Sequence, residues 1–119
     1  MPDASPRFLL LLHEPPGRVQ APSPESGRAL VEEYKAWAAE GARSGFLLGG
    51  EKLKDGGNLV AESGASPGST AIALDPGRPF IGGYFLIRAS GYDEAVELAR
   101  TCPHLRHGGI IEVRQIDPV

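Results

Sequence analysis

Ile81-Gly-Gly-Tyr-Phe-Leu-Ile-Arg-Ala-Ser-Gly-Tyr-Asp-Glu-Ala-Val-Glu-Leu-Ala-Arg-Thr-Cys-Pro-His-Leu-Arg-His-Gly-Gly-Ile-Ile-Glu-Val-Arg-Gln-Ile116 reads in order as a strand, a capped helix, a histidine-bearing turn and a final strand. Ile81 to Arg88 is the strand. Ser90-Gly91-Tyr92-Asp93 opens a helix in the manner of a capping box. Tyr92, Ala95, Val96, Ala99 and Cys102 then recur on one helical face, and Pro103 ends the run. In the last strand, Ile111 and Val113 point to one side and Ile110, Glu112, Arg114 and Ile116 to the other. The first side is apolar and belongs under the helices. The second carries a Glu-Arg pair among isoleucines, which suits a partly enclosed cleft better than open water.

Working outward, Arg7 to Leu12 is a short continuous apolar run, as in a central strand covered on both faces. His13-Glu14-Pro15-Pro16-Gly17 breaks it. At Ser23-Pro24-Glu25 the serine can cap a helix, the proline can take its first position and the glutamate can face the positive end of the dipole. Leu30, Tyr34, Trp37 and Gly41 form the inward stripe of that helix, with Val31 and Ala38 beside it and Gly45 as its stop. Phe46-Leu47-Leu48 is a strand, followed by Gly49-Gly50. The Gly-, Ser- and Asp-rich stretch around Leu59-Val60-Ala61 is a polar hairpin or loop excursion, and Thr70 to Leu74 resumes strand character. Strand, helix, strand, strand, helix, strand is the split, ferredoxin-like βαββαβ order of an α+β fold: an antiparallel sheet with helices on one face. The uncovered face is apolar enough to be an association surface, so a homodimer formed by packing two such faces is expected.

The 119 residues fit one domain, residues 1–119, with a core that needs no staples. A single cysteine, Cys102, rules out an internal disulfide. No basic start joins an apolar stretch of signal-peptide length, and the longest apolar run, Phe8 to Leu12, is far short of the roughly 20 residues of a membrane span. A cytoplasmic location without membrane contact is expected. The net charge is -3 and the basic residues are scattered, which offers phosphate backbones no electrostatic footprint and argues against direct nucleic-acid binding. The glycine doublets match no dinucleotide or phosphate-loop pattern, and the histidine spacing matches no metal-ligand pattern. No cofactor and no metal are expected.

His104 follows a helix C-terminus, where the dipole favours the imidazolium and would make it a proton donor near neutral pH. The structural alternative is a C-cap on the last carbonyls. His13, at the end of the first strand, is placed to serve as base or hydrogen-bond donor, or to cap the next turn. His107 reads as a solvated loop residue. Glu112 and Arg114 can hold a polar substrate, with the guanidinium as a fork for a carboxylate, or can pair with each other or across a dimer seam. Glu51 and Lys52 can reach the same cleft or form an ordinary solvated turn. Asp75 can orient a histidine or begin a turn before Pro76. Cys102, on the buried side, is not expected to be a nucleophile.

These residues carry a resemblance. Ile81-Gly-Gly-Tyr-Phe-Leu-Ile, Tyr92-Asp-Glu-Ala-Val-Glu-Leu-Ala, Cys102-Pro-His104 and Gly108-Gly-Ile-Ile-Glu-Val-Arg resemble the YCII-related proteins of the DGPF type. Phe8-Leu-Leu-Leu-Leu-His-Glu, Glu33-Tyr-Lys-Ala-Trp and Gly49-Gly-Glu-Lys-Leu resemble the same group, so nearly the whole chain is covered. The resemblance implies a dimeric α+β barrel, with a site of histidine and acidic residues in the cleft of each barrel. One departure stands out. The Asp-Gly-Pro-Phe segment, followed in the family by a Glu-x-Lys-Glu stretch, is here only Asp75-Pro-Gly-Arg-Pro-Phe80, so what the Glu and Lys do in the family is either lacking here or taken over by Asp75 and Arg78.

Three functions remain open on the sequence. The chain is a cofactor-independent acid/base enzyme (an isomerase, lyase or hydrolase) acting on a small polar or cyclic metabolite, with His104 and His13 sharing the acid and base roles. Or it is a non-catalytic module that binds a small ligand. Or, as the resemblance also implies, it is a regulatory partner associated with an extracytoplasmic-function sigma factor.

Overall fold

The apolar run Phe8–Leu12 becomes the inner part of β1 (Arg7–Glu14), which pairs antiparallel with β5 (Phe80–Arg88) on one side and β6 (Ile110–Gln115) on the other. The computed structural model describes residues 5–14, 24–54, 56–61, 68–72 and 80–119. Between β1 and β5 run α1 (Pro24–Ser44), β2 (Leu47–Lys52), β3 (Gly57–Ala61) and β4 (Gly68–Ile72). After β5 come α2 (Tyr92–Arg100) and a 3₁₀ turn (Pro103–His107) that leads into β6. The main sheet has the antiparallel order β2-β5-β1-β6, consistent with a ferredoxin-like α+β fold, while β3 and β4 form a separate two-stranded hairpin.

Both helices pack on one face of that sheet. Phe8, Leu10, Ile87, Ala89, Ala95 and Ala99 are buried together, with Trp37, Phe46, Phe85, Leu98, Ile111 and Val113 against them. Full burial of a side chain such as Phe8 or Leu10 contributes roughly 1.5–3 kcal/mol. Trp37 stacks at an angle on Phe85, centroids 4.8 Å apart, and donates from Nε1 to Thr101 Oγ1 at 2.8 Å, which ties α1 to the end of α2. The other face holds Leu9, Leu11, Tyr84 and Leu86 side by side, since Leu9 faces Leu86 and Leu11 faces Tyr84 across the β1–β5 ladder. Among the described residues no helix covers these four. The continuous apolar run in β1 thus has a helix-covered half and a half-buried half.

Several boundaries differ from the sequence expectation, each for a local reason. β1 continues through His13 and Glu14 because both still pair with β5. Gly49-Gly50 do not stop β2: the strand runs on to Lys52, because the Phe85 ring lies where a Cβ on Gly50 would sit, 2.5 Å from Cδ1. Glu51 and Lys52 are therefore strand residues opposite Tyr84 and Gly83, not a turn. α2 ends at Arg100 instead of reaching Cys102, which is extended (φ −71, ψ 134) because the ring of a following proline disfavours helical geometry. The capping box forms by half. Gly91 is the N-cap without a side-chain bond, while Glu94 Oε1 accepts from the Ser90 N–H at 3.0 Å. α1 ends as expected at Gly45, whose φ of 91 is the left-handed conformation that glycine adopts freely. Of the expected strand Thr70–Leu74, β4 includes 70–72, and residues 73 and 74 lie outside the described residues. Among the described residues no helix is long and apolar enough to cross a membrane.

Candidate functional site

Alternation along β1 decides where His13 points, and the neighbouring β5 bulges beside it. Leu12 faces Gly83 across the ladder but His13 faces Ile81, so Gly82 is the extra residue on β5. His13, two residues after Leu11 on β1, shares its helix-free face, beside Glu112 of the adjacent strand. Its Nε2 lies 2.8 Å from Glu112 Oε1. Arg114 Nη1 donates to the second oxygen, Oε2, at 3.0 Å. The three side chains form one array, His13–Glu112–Arg114, on the face that also carries Leu9, Leu11, Tyr84 and Leu86. The imidazole, then the guanidinium, hold the Glu112 carboxyl below its ordinary range, so this carboxylate stays charged at neutral pH. It fixes the His13 tautomer: Nε2 carries the proton toward Glu112. The other nitrogen, Nδ1, has no partner among the described residues, and the side chain is 26% exposed.

His104 is placed differently. It sits in the 3₁₀ turn, is 2% exposed and has both nitrogens committed within the protein. Nε2 lies 2.9 Å from the His13 carbonyl oxygen, which can only accept, so Nε2 is the N–H donor. Nδ1 then accepts from the Tyr34 hydroxyl at 2.9 Å. The ring joins three elements: the 3₁₀ turn, α1 and the end of β1. Gly109 must lack a side chain because a Cβ there would collide with the His104 ring. The sequence expected a proton donor facing a ligand or a cap on the α2 carbonyls; the geometry is instead a buried clamp on the main chain of His13.

The remaining candidates are spread out. His107, expected to be solvated, bonds Glu33 Oε2 at 2.9 Å while Arg106 holds Oε1 at 3.0 Å. The imidazole first, then the guanidinium, lower the Glu33 pKa. Glu51 and Lys52 stand on the far side of β5 from His13. Asp75 and Arg78 lie outside the described residues. Cys102 is buried, and burial pushes its thiol pKa up, as expected for an inert cysteine. Among the described residues no group of three His, Cys, Asp or Glu could hold a metal ion.

Sequence reasoning missed Tyr34 and Glu33 as partners of the two histidines in the turn. For Tyr34 a signal existed: a tyrosine on the inward stripe of a helix has a hydroxyl that needs a buried partner. No protein-family model matches the chain, and no curated protein matches it.

Proposed function

We propose that the chain is a YCII-related protein of the DGPF type: a homodimeric α+β barrel that acts as a cofactor-independent acid/base enzyme on a small polar or cyclic metabolite. The observation that carries this reading is the 2.8 Å contact from His13 Nε2 to Glu112, which leaves Nδ1 without a partner among the described residues. With Nε2–H given to the carboxylate, the Nδ1 lone pair can take a proton from a ligand, and Glu112 stabilises the imidazolium that results. A proton returned from Nδ1 to a different ligand atom completes an isomerisation or an elimination. Arg114 keeps Glu112 aimed at His13. His104 is a positioning residue in this scheme, since it grips the His13 carbonyl and not the ligand.

Homodimerisation follows from the helix-free face. Leu9, Leu11, Tyr84 and Leu86 lie half-buried on the same side, with Ile110 60% exposed at its edge. A contiguous apolar patch of this kind marks an association surface. Two such faces packed together would put each His13–Glu112 pair in a cleft at the seam, where exclusion of water strengthens its electrostatics.

The test is solvent-deuterium uptake, followed by NMR, into a panel of small carbonyl and cyclic acids that have acidic C–H bonds. At least one compound should exchange faster with protein, and His13→Gln should slow that exchange by about 10²–10⁴-fold. An unchanged rate in His13→Gln would remove the enzyme reading. A second reading, the regulatory partner of an extracytoplasmic-function sigma factor, is favoured by the β3–β4 hairpin, whose Leu59 and Val60 are 64% and 77% exposed. It requires that Leu59→Ser with Val60→Ser abolish binding to a purified sigma factor of that class, with no exchange activity in the wild type.

A further inference from the structure

A cavity of about 290 Å³ lies between α1 and the β2–β5 half of the sheet, on the face opposite the His13 ring. That is near the lower bound, about 300 Å³, of small-molecule pockets. None of the three histidines lines it. Leu12, Leu30, Val31, Ala38 and Phe85 make its walls apolar. Its floor is the glycine pair at the β5 bulge. A Cβ on Gly82 would meet the Glu14 carboxylate at 2.9 Å, and one on Gly83 would meet the Glu51 carbonyl oxygen at 2.9 Å. Side chains at either position would fill the space.

The charges at the rim are unequal in their commitments. Lys35 is 3.7 Å from Glu32, one turn away on α1. Glu51, opposite Tyr84, belongs to the helix-free face. Glu14 lies over Gly82 at the β1 end of the floor. Lys52, exposed at the β2 end opposite Gly83, has an ammonium with no ion-pair or hydrogen-bond partner among the described residues.

We propose that this cavity binds an organic monocarboxylate with an apolar body, a ring or a branched chain, with its carboxylate on Lys52 and its body against Phe85, Val31 and Ala38. The walls are apolar, so the body of the ligand and not a second charge is what they favour. The site is separate from His13 and stands whether or not the chain is an enzyme.

The experiment titrates the intact protein with 3-phenylpropionate and with its uncharged amide, by calorimetry and by the fluorescence of Trp37. Trp37 is the single tryptophan, 4.8 Å from the Phe85 ring that lines the cavity. Wild type should bind the acid saturably at one site. Lys52→Gln should weaken the acid about fivefold and leave the amide within about twofold. Ala38→Phe, which fills the cavity, should abolish binding of both at unchanged or higher Tm, and His13→Gln should bind like wild type. Should Ala38→Phe fail to fold, Val31→Phe is the filling variant on the exposed rim. Absence of saturable binding of the acid, full affinity in a folded filling variant, or equal weakening of acid and amide by Lys52→Gln would each overturn the proposal.

Discussion

His104 holds His13 by the main chain: its Nε2 donates to the His13 carbonyl at 2.9 Å, while the His13 ring turns to the other face of the sheet and meets Glu112 at 2.8 Å. One histidine is thus spent on placing the other, at the end of a strand whose register with β6 is regular through His13.

Removing the clamp should cost stability. His104→Phe keeps a ring in the buried site but removes its bonds to the His13 carbonyl and the Tyr34 hydroxyl, a loss of about 1–3 kcal/mol. Denaturant unfolding measures it. A change below about 0.5 kcal/mol would mean that neither bond matters to the fold.

Gly41 offers a sign test. Glycine-to-alanine inside a helix ordinarily gains about 1 kcal/mol. Here a Cβ would lie 2.8 Å from Phe46 Cζ and 3.0 Å from Leu47 Cβ, both packed against the core. Overpacking of that kind costs about 1–3 kcal/mol, so Gly41→Ala should lower Tm despite its better helix propensity. A raised Tm would show that Phe46 swings aside freely.

The ion pairs on Glu112 and Glu33 set an acid limb. Both carboxyls have folded pKa values below the ordinary 4.5, so their contribution is fully present above that pH and is lost as pH falls through the lowered values. Stability should fall on acidification below pH 4.5, and the double variant Glu33→Gln with Glu112→Gln should flatten that limb. An identical slope in wild type and variant would assign the acid limb to other groups.

Cys102 is 1% exposed, with a thiol that burial pushes up. It should resist a thiol-directed disulfide reagent in the native protein and react at the rate of unfolding once denaturant is added. Rapid native-state labelling would place the thiol at an opening that the packing of α2 does not have.

The fold was largely legible because its signals are local. Phe8–Leu12 is apolar without interruption, Leu30, Tyr34, Trp37 and Gly41 repeat at helical spacing, and Pro103 stops a helix wherever it stands. The boundaries that moved depend on contacts that a one-dimensional reading lacks. Gly49-Gly50 looks like a break until Phe85 covers it, and Cys102 looks helical until the following proline is weighed. The site was half legible. Glu112 and Arg114 stand two apart on one strand face, as alternation requires, but their union with His13 depends on the β1–β6 register. His104 was read by its place after a helix, whereas its role comes from Tyr34, 70 positions away, and from a carbonyl, which no side-chain pattern announces.

The helix-free face of Leu9, Leu11, Tyr84 and Leu86 decides whether His13 works in a cleft or in open water, so sedimentation equilibrium at micromolar concentration is the most direct measurement. The proposed dimer requires a species of twice 12.6 kDa that Leu11→Asp converts to a stable monomer without loss of secondary structure. A wild-type particle of 12.6 kDa would contradict both the covered face and the enclosed His13–Glu112 site.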